Sequence, residues 1–262
     1  MNGRIALALM SVLTASTSWA CGRASEPAPV KSADPVQLLR QMSDRLAAAT
    51  QVTFRATRHV DTSLSEGSDI PESAEIDVAI SRPGKLRATA TARTGVRRFY
   101  FDGQTITLLD ETMLLYATVP LSGAIDEMID KLDEAYGFVP PLADFAVNDP
   151  SRRFDKQIRS GVYHAKETIN GLECDYVTVT GEVADADLWL SSTDHLPRRF
   201  IATFKDREGK PQLTIDFSQW NLTAQLDDSL FAFSPPAGAE RIKMLLVDDV
   251  KDRQAADGST HK

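Results

Sequence analysis

The sequence predicts an α+β protein that is mainly antiparallel β: a curved, open half-barrel of about ten or eleven strands with helices covering its concave face. Three observations carry this expectation. Segments that alternate apolar and polar residues follow one another with turn dipeptides between them, in two runs. A stretch of helical periodicity separates the runs. A sheet of that size must curl, and an amphipathic segment at the front joins the central one in covering its apolar face.

Residues 1–20 read as an export leader: Arg4 supplies the positive region, Ile5 to Leu13 the apolar run, and Ser18-Trp19-Ala20 a small-x-small cleavage site. The apolar run is too short to span a bilayer, which needs about 20 residues. Cys21 follows the cleavage point directly and leaves two outcomes open, ordinary release or lipidation of Cys21. The aliphatic-then-small pair that usually precedes a lipidated cysteine is replaced here by Ser18 and Trp19. Residues 21–33 are rich in Pro and Ala and read as a flexible mature terminus.

One domain is expected over residues 34–247. Asp34 caps a first helix and Pro35 suits its first position, with Val36, Leu38, Leu39, Met42 and Leu46 on one stripe. Alternation starts at Gln51 (Val52, Phe54, Ala56, Arg58, Val60) and resumes at Ile76, Val78 and Ile80. A Pro83-Gly84 turn leads to Leu86–Thr91; Arg97–Phe101 reaches the hairpin dipeptide Asp102-Gly103; Thr105–Leu109 pairs back, and Met113–Val119 follows. Such spacing makes an antiparallel meander.

Ser122 then caps a helix carrying Ile125, Met128, Ile129, Leu132 and Tyr136, closed by Gly137. Short helical pieces follow Pro140-Pro141 and Asp149-Pro150. Strands return at Val162–Ile169, Leu172–Thr180 after an Asn170-Gly171 turn, Asp187–Ser191, Arg199–Lys205 and Gln212–Trp220. Residues 248–262 are charged and aperiodic and are expected to be disordered.

The hydrophobic fraction of 42% and charged fraction of 25% are those of an ordinary globular chain. A net charge of −8 without a basic stripe speaks against nucleic acid as a partner. The two cysteines, Cys21 and Cys174, rule out a zinc ribbon, and they can pair in an oxidising compartment if Cys21 is not lipidated. No nucleophile elbow, zinc helix or phosphate loop occurs, so no catalytic residue, metal or cofactor is expected. His59, His164, His195 and His261 have no ligand-type neighbour at helical spacing and read as structural. Asp185 with Asp187, and Asp227 with Asp228, are the nearest approach to paired carboxylates.

Aromatic and aliphatic residues share strand faces. Phe99 goes with Phe101, Phe200 with Phe204, and Leu213 with Ile215 and Phe217, while Trp189 lies in the same strand run. These eight residues are either an ordinary sheet core or the wall of a cavity for a lipid-like ligand. A 16-carbon acyl chain gains roughly 13 kcal/mol gross at about 0.8 kcal/mol per buried methylene, so a lipid site needs no polar motif.

The segment Arg82-Pro83-Gly84-Lys85-Leu86-Arg87, RRFYFDGQTITLLD from Arg97 to Asp110 and LDDSLFAFSPPAGA from Leu226 to Ala239 together resemble the bacterial LolA-like superfamily of lipoprotein carriers. DPVQLLRQMSDRLAA, LYATVP, YGFVPPLADF and GLECDYVTV are similar, more narrowly, to the exported family known as domain of unknown function 2092. The resemblance implies a half-barrel with helices over its mouth, and relatives that carry acyl chains or sense lipoproteins in the periplasm. Three functions therefore compete: a periplasmic, monomeric, non-enzymatic carrier of a hydrophobic ligand; an envelope regulatory module that docks a protein partner; and a hydrolase whose site is not recognised. Membrane contact is expected only through a lipidated Cys21.

Overall fold

A computed structural model describes residues 33–65, 72–140 and 142–246. The leader, the expected mature terminus as far as residue 32 with its Cys21, and the tail expected over residues 248–262 lie outside the described residues. Helix α1 (Pro35–Ala47) starts where its cap predicts, with the Asp34 carboxylate accepting from the Val36 N–H at 3.0 Å, and it buries Leu38, Leu39, Met42, Ser43 and Leu46.

Strand β1 (Gln51–Val60), the single helical turn α2 (Thr62–Ser65), β2 (Ser73–Ser81), β3 (Lys85–Ala92), β4 (Gly95–Phe101), β5 (Thr105–Asp110) and β6 (Leu115–Pro120) follow, the strands pairing as an antiparallel meander. Next come α3 (Ile125–Tyr136), α4 (Ala143–Ala146) and α5 (Pro150–Gln157). A second meander is formed by β7 (Ile158–Ile169), β8 (Leu172–Gly181), β9 (Ala184–Ser191), β10 (Pro197–Phe204) and β11 (Gln212–Asn221). A 3₁₀ turn (Asp228–Phe231) and β12 (Glu240–Arg241) end the described chain.

The strand order β12-β6-β5-β4-β3-β2-β1-β11-β10-β9-β8-β7 joins the two meanders through antiparallel pairing of β1 with β11, where Ala56 faces Phe217 and Arg58 faces Ile215. The outermost strands do not pair, so the sheet stays open. This order also places β6 and β7, which are successive in the chain, near opposite ends of the sheet. The connection between them must therefore cross the sheet's full width, and α3 to α5 are that connection. Ile125, Met128, Ile129 and Leu132 of α3 and Phe145 of α4 join Leu39, Met42 and Leu46 of α1 in one buried cluster with Val78, Phe101, Leu188 and Phe217 of the sheet.

Three details depart from the sequence expectations. Among the described residues the sheet has twelve strands, because β12 pairs in parallel with β6 through only two residues, too few to show alternation. It is laid there by a strap that crosses the outer face: Gln51 exchanges hydrogen bonds with the Leu226 backbone, and Phe233 packs between Tyr100 and Tyr116 at 5.5 and 5.1 Å. Met113 lies in a turn, since the Asp110 carboxylate accepts from the Thr112 and Met113 N–H groups and ends β5 there. Finally, Ala124 rather than Ser122 occupies the N-cap of α3, and no side chain caps it; Asp126 and Glu127 supply first-turn acids, while Gly137 closes the helix at φ 61°.

Candidate functional site

The inner face begins with the alternation of the strands. Cross-strand partners point to the same side, so Phe99, Leu108 and Ala117 align across β4, β5 and β6, as do Phe200 and Ile215 across β10 and β11. Six of the eight predicted residues meet on this face within one cluster. Phe99, Phe101, Ile215 and Phe217 are buried there, and Phe200 and Leu213 are half-buried against them. Phe204 stands at the end of β10, half-exposed, with the Arg207 guanidinium 5.6 Å from its ring.

Trp189 is elsewhere. Its neighbours Leu188 and Leu190 point inward, which turns Trp189 to the outer face, where it stacks on Tyr176 at 4.5 Å and donates from Nε1 to Glu167 at 2.7 Å. It packs there with Ile169 and Cys174, apart from the inner cluster. Cys174 is a buried free thiol whose pKa burial raises. The acids singled out in the sequence have structural partners: Asp185 pairs with Lys205, Asp187 accepts from Tyr176 and Thr178, Asp227 accepts from the Ser229 N–H, and Asp228 pairs with Lys85. Among the described residues no cluster of three His, Cys, Asp or Glu side chains could hold a metal, and no helix is long and apolar enough to cross a membrane.

The crossing helices close the inner face with aromatic wedges that sequence reasoning missed. Phe145 of α4 inserts edge-on between Phe217 (4.8 Å, 64°) and Phe200 (5.6 Å, 78°) and meets Phe154 of α5 at 6.3 Å. Phe138, just beyond α3, covers Phe99 at 6.5 Å. Polar latches hold this cover down. The Arg82 guanidinium donates to the carbonyls of Leu46 and Ala49 at the end of α1 and of Ala146 at the end of α4, at 3.3, 3.1 and 2.8 Å. Burial lowers its pKa, against the opposing pull of Asp126. Asp126 accepts from the Asn148 N–H at 2.9 Å, and the Asn148 side-chain amide donates to Pro83 O at 3.0 Å. Asp149 caps α5, and the Ser151 hydroxyl, followed by backbone N–H groups, holds its carboxyl below the usual range.

One seam in the cover is not filled. Between α1, α5 and the start of β7 lies a cavity of about 130 Å³ lined by Val36, Leu39, Arg40, Ser43, Phe154 and Ile158, among others. A second, more open groove of about 480 Å³ lies where the loops after β7, β9 and β11 meet the end of α1, with Arg45 and Arg198 beside Leu172, Leu196, Trp220 and Leu222. Neither feature has a linear signature, because each is assembled from segments far apart in the chain.

A sequence profile described as "Predicted periplasmic protein (DUF2092)" matches residues 35–245. No curated protein matches the chain at a significant level. Among solved structures it is similar to an uncharacterized conserved protein of Thermus thermophilus (9% identity over 79% of this chain and 97% of that one, TM-score 0.49). It is also similar to the lipoprotein LppX of Mycobacterium tuberculosis (16% identity, 73% and 97% coverage, TM-score 0.42). A third is the LolA superfamily protein NE2245 of Nitrosomonas europaea (10% identity, 77% and 99% coverage, TM-score 0.38).

Proposed function

Because the chain belongs to the family of predicted periplasmic proteins DUF2092, we propose that it is an exported, non-enzymatic protein that binds a hydrophobic ligand, an acyl chain or a lipoprotein, beneath the helices of its inner face and acts as its carrier. In this reading the leader is removed after Ala20 and the protein is released; the alternative, a tether through Cys21, is distinguished by the mass of the mature N-terminal peptide. The observation that carries the binding reading is the construction of the cover. The apolar inner face is closed by short crossing helices, and Phe145 stands edge-on to both Phe200 and Phe217; in this reading the ligand chain takes the place of that ring.

The balance of energies permits exchange. Withdrawing one buried Phe costs roughly 1.5–3 kcal/mol, whereas a 16-carbon chain gains roughly 13 kcal/mol gross before ordering costs. The test is native mass spectrometry of the protein purified from an envelope fraction, combined with titration of the mature protein by a fluorescent fatty acid. A co-purified lipid or saturable probe binding is expected; a protein that shows neither refutes the reading.

The open groove beside Arg45 favours docking of a protein partner as a second reading. Arg45→Glu separates the two, since it should abolish capture of such a partner and leave probe binding intact.

A further inference from the structure

The cavity between α1 and α5 has mixed walls, with Val36, Leu39, Phe154 and Ile158 alongside Arg40, Ser43, Ser151, Arg159 and Ser160, and one of those polar groups is left unused by the fold. Val36, Leu39, Arg40 and Ser43 recur at positions i, i+3, i+4 and i+7 of α1 and so share one face of that helix. Ser43 is 2% exposed, and its Oγ has no hydrogen-bond partner. A serine within a helix ordinarily satisfies its hydroxyl on a backbone carbonyl one turn earlier, and a buried hydroxyl without any partner is costly. Arg40, one turn away, is exposed and makes no ion pair among the described residues. Arg159 lines the same cavity but is engaged by Glu182 at 2.5 Å.

The close approach of α1 to β7 is itself built in. A Cβ at Gly161 would lie 2.9 Å from the Pro35 Cβ, so a glycine there lets the N-terminal turn of α1 sit against β7 beside the cavity. At about 130 Å³ the cavity holds only about four groups of water size, at about 30 Å³ each, and is too small for an entire acyl chain. It is large enough for the polar end of one.

We infer that this cavity is the headgroup subsite of an anionic acyl amphiphile, with the Ser43 hydroxyl donating to an acceptor oxygen of the head and the Arg40 guanidinium pairing with its negative charge. The chain of the ligand then runs past Leu39, Phe154 and Ile158 toward the inner face. This inference rests on the acyl-binding reading given above. The acceptor oxygen and charge have two sources, the carboxylate of a free fatty acid or the ester and phosphate of a phospholipid.

Binding of palmitate, of palmitoyl lysophosphatidylglycerol and of uncharged hexadecanol to the mature protein tests it. At least one anionic amphiphile should bind about tenfold more tightly than hexadecanol, and the tighter of the two identifies the source. Ser43→Ala and Arg40→Gln should each bring the anionic amphiphile's affinity close to that of hexadecanol; thermal stability should stay the same for Arg40→Gln, at an exposed position, and should not fall for Ser43→Ala, which removes a partnerless buried hydroxyl. Wild-type preference retained in both variants, or no preference in the wild type, overturns the subsite and leaves acyl binding standing. No binding of any of the three overturns acyl binding as well.

Discussion

Phe145→Ala is the perturbation that distinguishes a cover that opens from a core that does not. The Phe145 side chain is 2% exposed and meets Phe217 and Phe200 edge-on at 4.8 and 5.6 Å. Its burial is worth about 1.5–3 kcal/mol and each of the two ring pairs about 0.5–1.5 kcal/mol more, about 2.5–6 kcal/mol together, which brackets the usual loss of about 3–5 kcal/mol for Phe→Ala in a core. Affinity should move the other way. A ligand that must first displace Phe145 binds with an apparent affinity reduced by the rarity of the open state, and removing the wedge relieves about 1.5–3 kcal/mol of that penalty, or about ten- to a hundredfold in Kd. Urea unfolding followed by tryptophan fluorescence gives the first quantity, and titration with a fluorescent fatty acid gives the second. If affinity is unchanged or weaker while stability falls, Phe145 is an ordinary core residue and the helices are not a gate.

Arg82→Met keeps the apolar stem but removes three donors, and should cost about 2–4 kcal/mol, with amide exchange in α4 rising more than in β3. Asp149→Asn tests an acid-sensitive cap. Because the folded Asp149 pKa is depressed, its contribution is fully present above the ordinary Asp value of about 3.9 and is lost as pH falls below that value through the lower folded one. The variant should therefore lose less of its stability than the wild type between pH 7 and pH 3, as urea midpoints will show. Cys174, buried and with a raised pKa, should be inert to a thiol reagent at neutral pH and react at once in denaturant; rapid reaction of the native protein would contradict its placement.

The elements most legible in the sequence are those whose burial repeats. Val52, Phe54 and Ala56 alternate cleanly, and the stripe on α1 obeys helical spacing, because one side of each faces the core. Leu188, Trp189 and Leu190 form an unbroken apolar run, so alternation alone does not say which side Trp189 takes; the sheet gives it the outer one, where its indole N–H reaches Glu167. Phe145 belongs to a four-residue helix, too short to show any period, and its significance comes from rings contributed by β10, β11 and α5. Ser43 resembles any other polar residue on an amphipathic helix until α5 and β7 close around it. Two strand runs around a helical insert were readable; that the insert must cross the whole sheet depends on the pairing of β1 with β11.

That pairing imposes an order of assembly. The strands of the first meander are hairpin neighbours and can form from nearby chain, but β1 finds its second partner only in β11, with Val60 set against Leu213. Until β11 arrives, one side of β1 presents the unpaired backbone N–H and C=O groups of alternate residues of a ten-residue strand, beside exposed Val52, Phe54 and Ala56, the kind of template on which chains associate wrongly. Closing so long a loop is slow, and a chain emerging N-terminus first would hold this edge open until β11 has followed. Pulse-labelled hydrogen exchange during refolding should find the β1–β11 amides protected after those of β3 to β5, which makes the central seam, rather than either rim of the sheet, the place where a folding catalyst or chaperone has most to do.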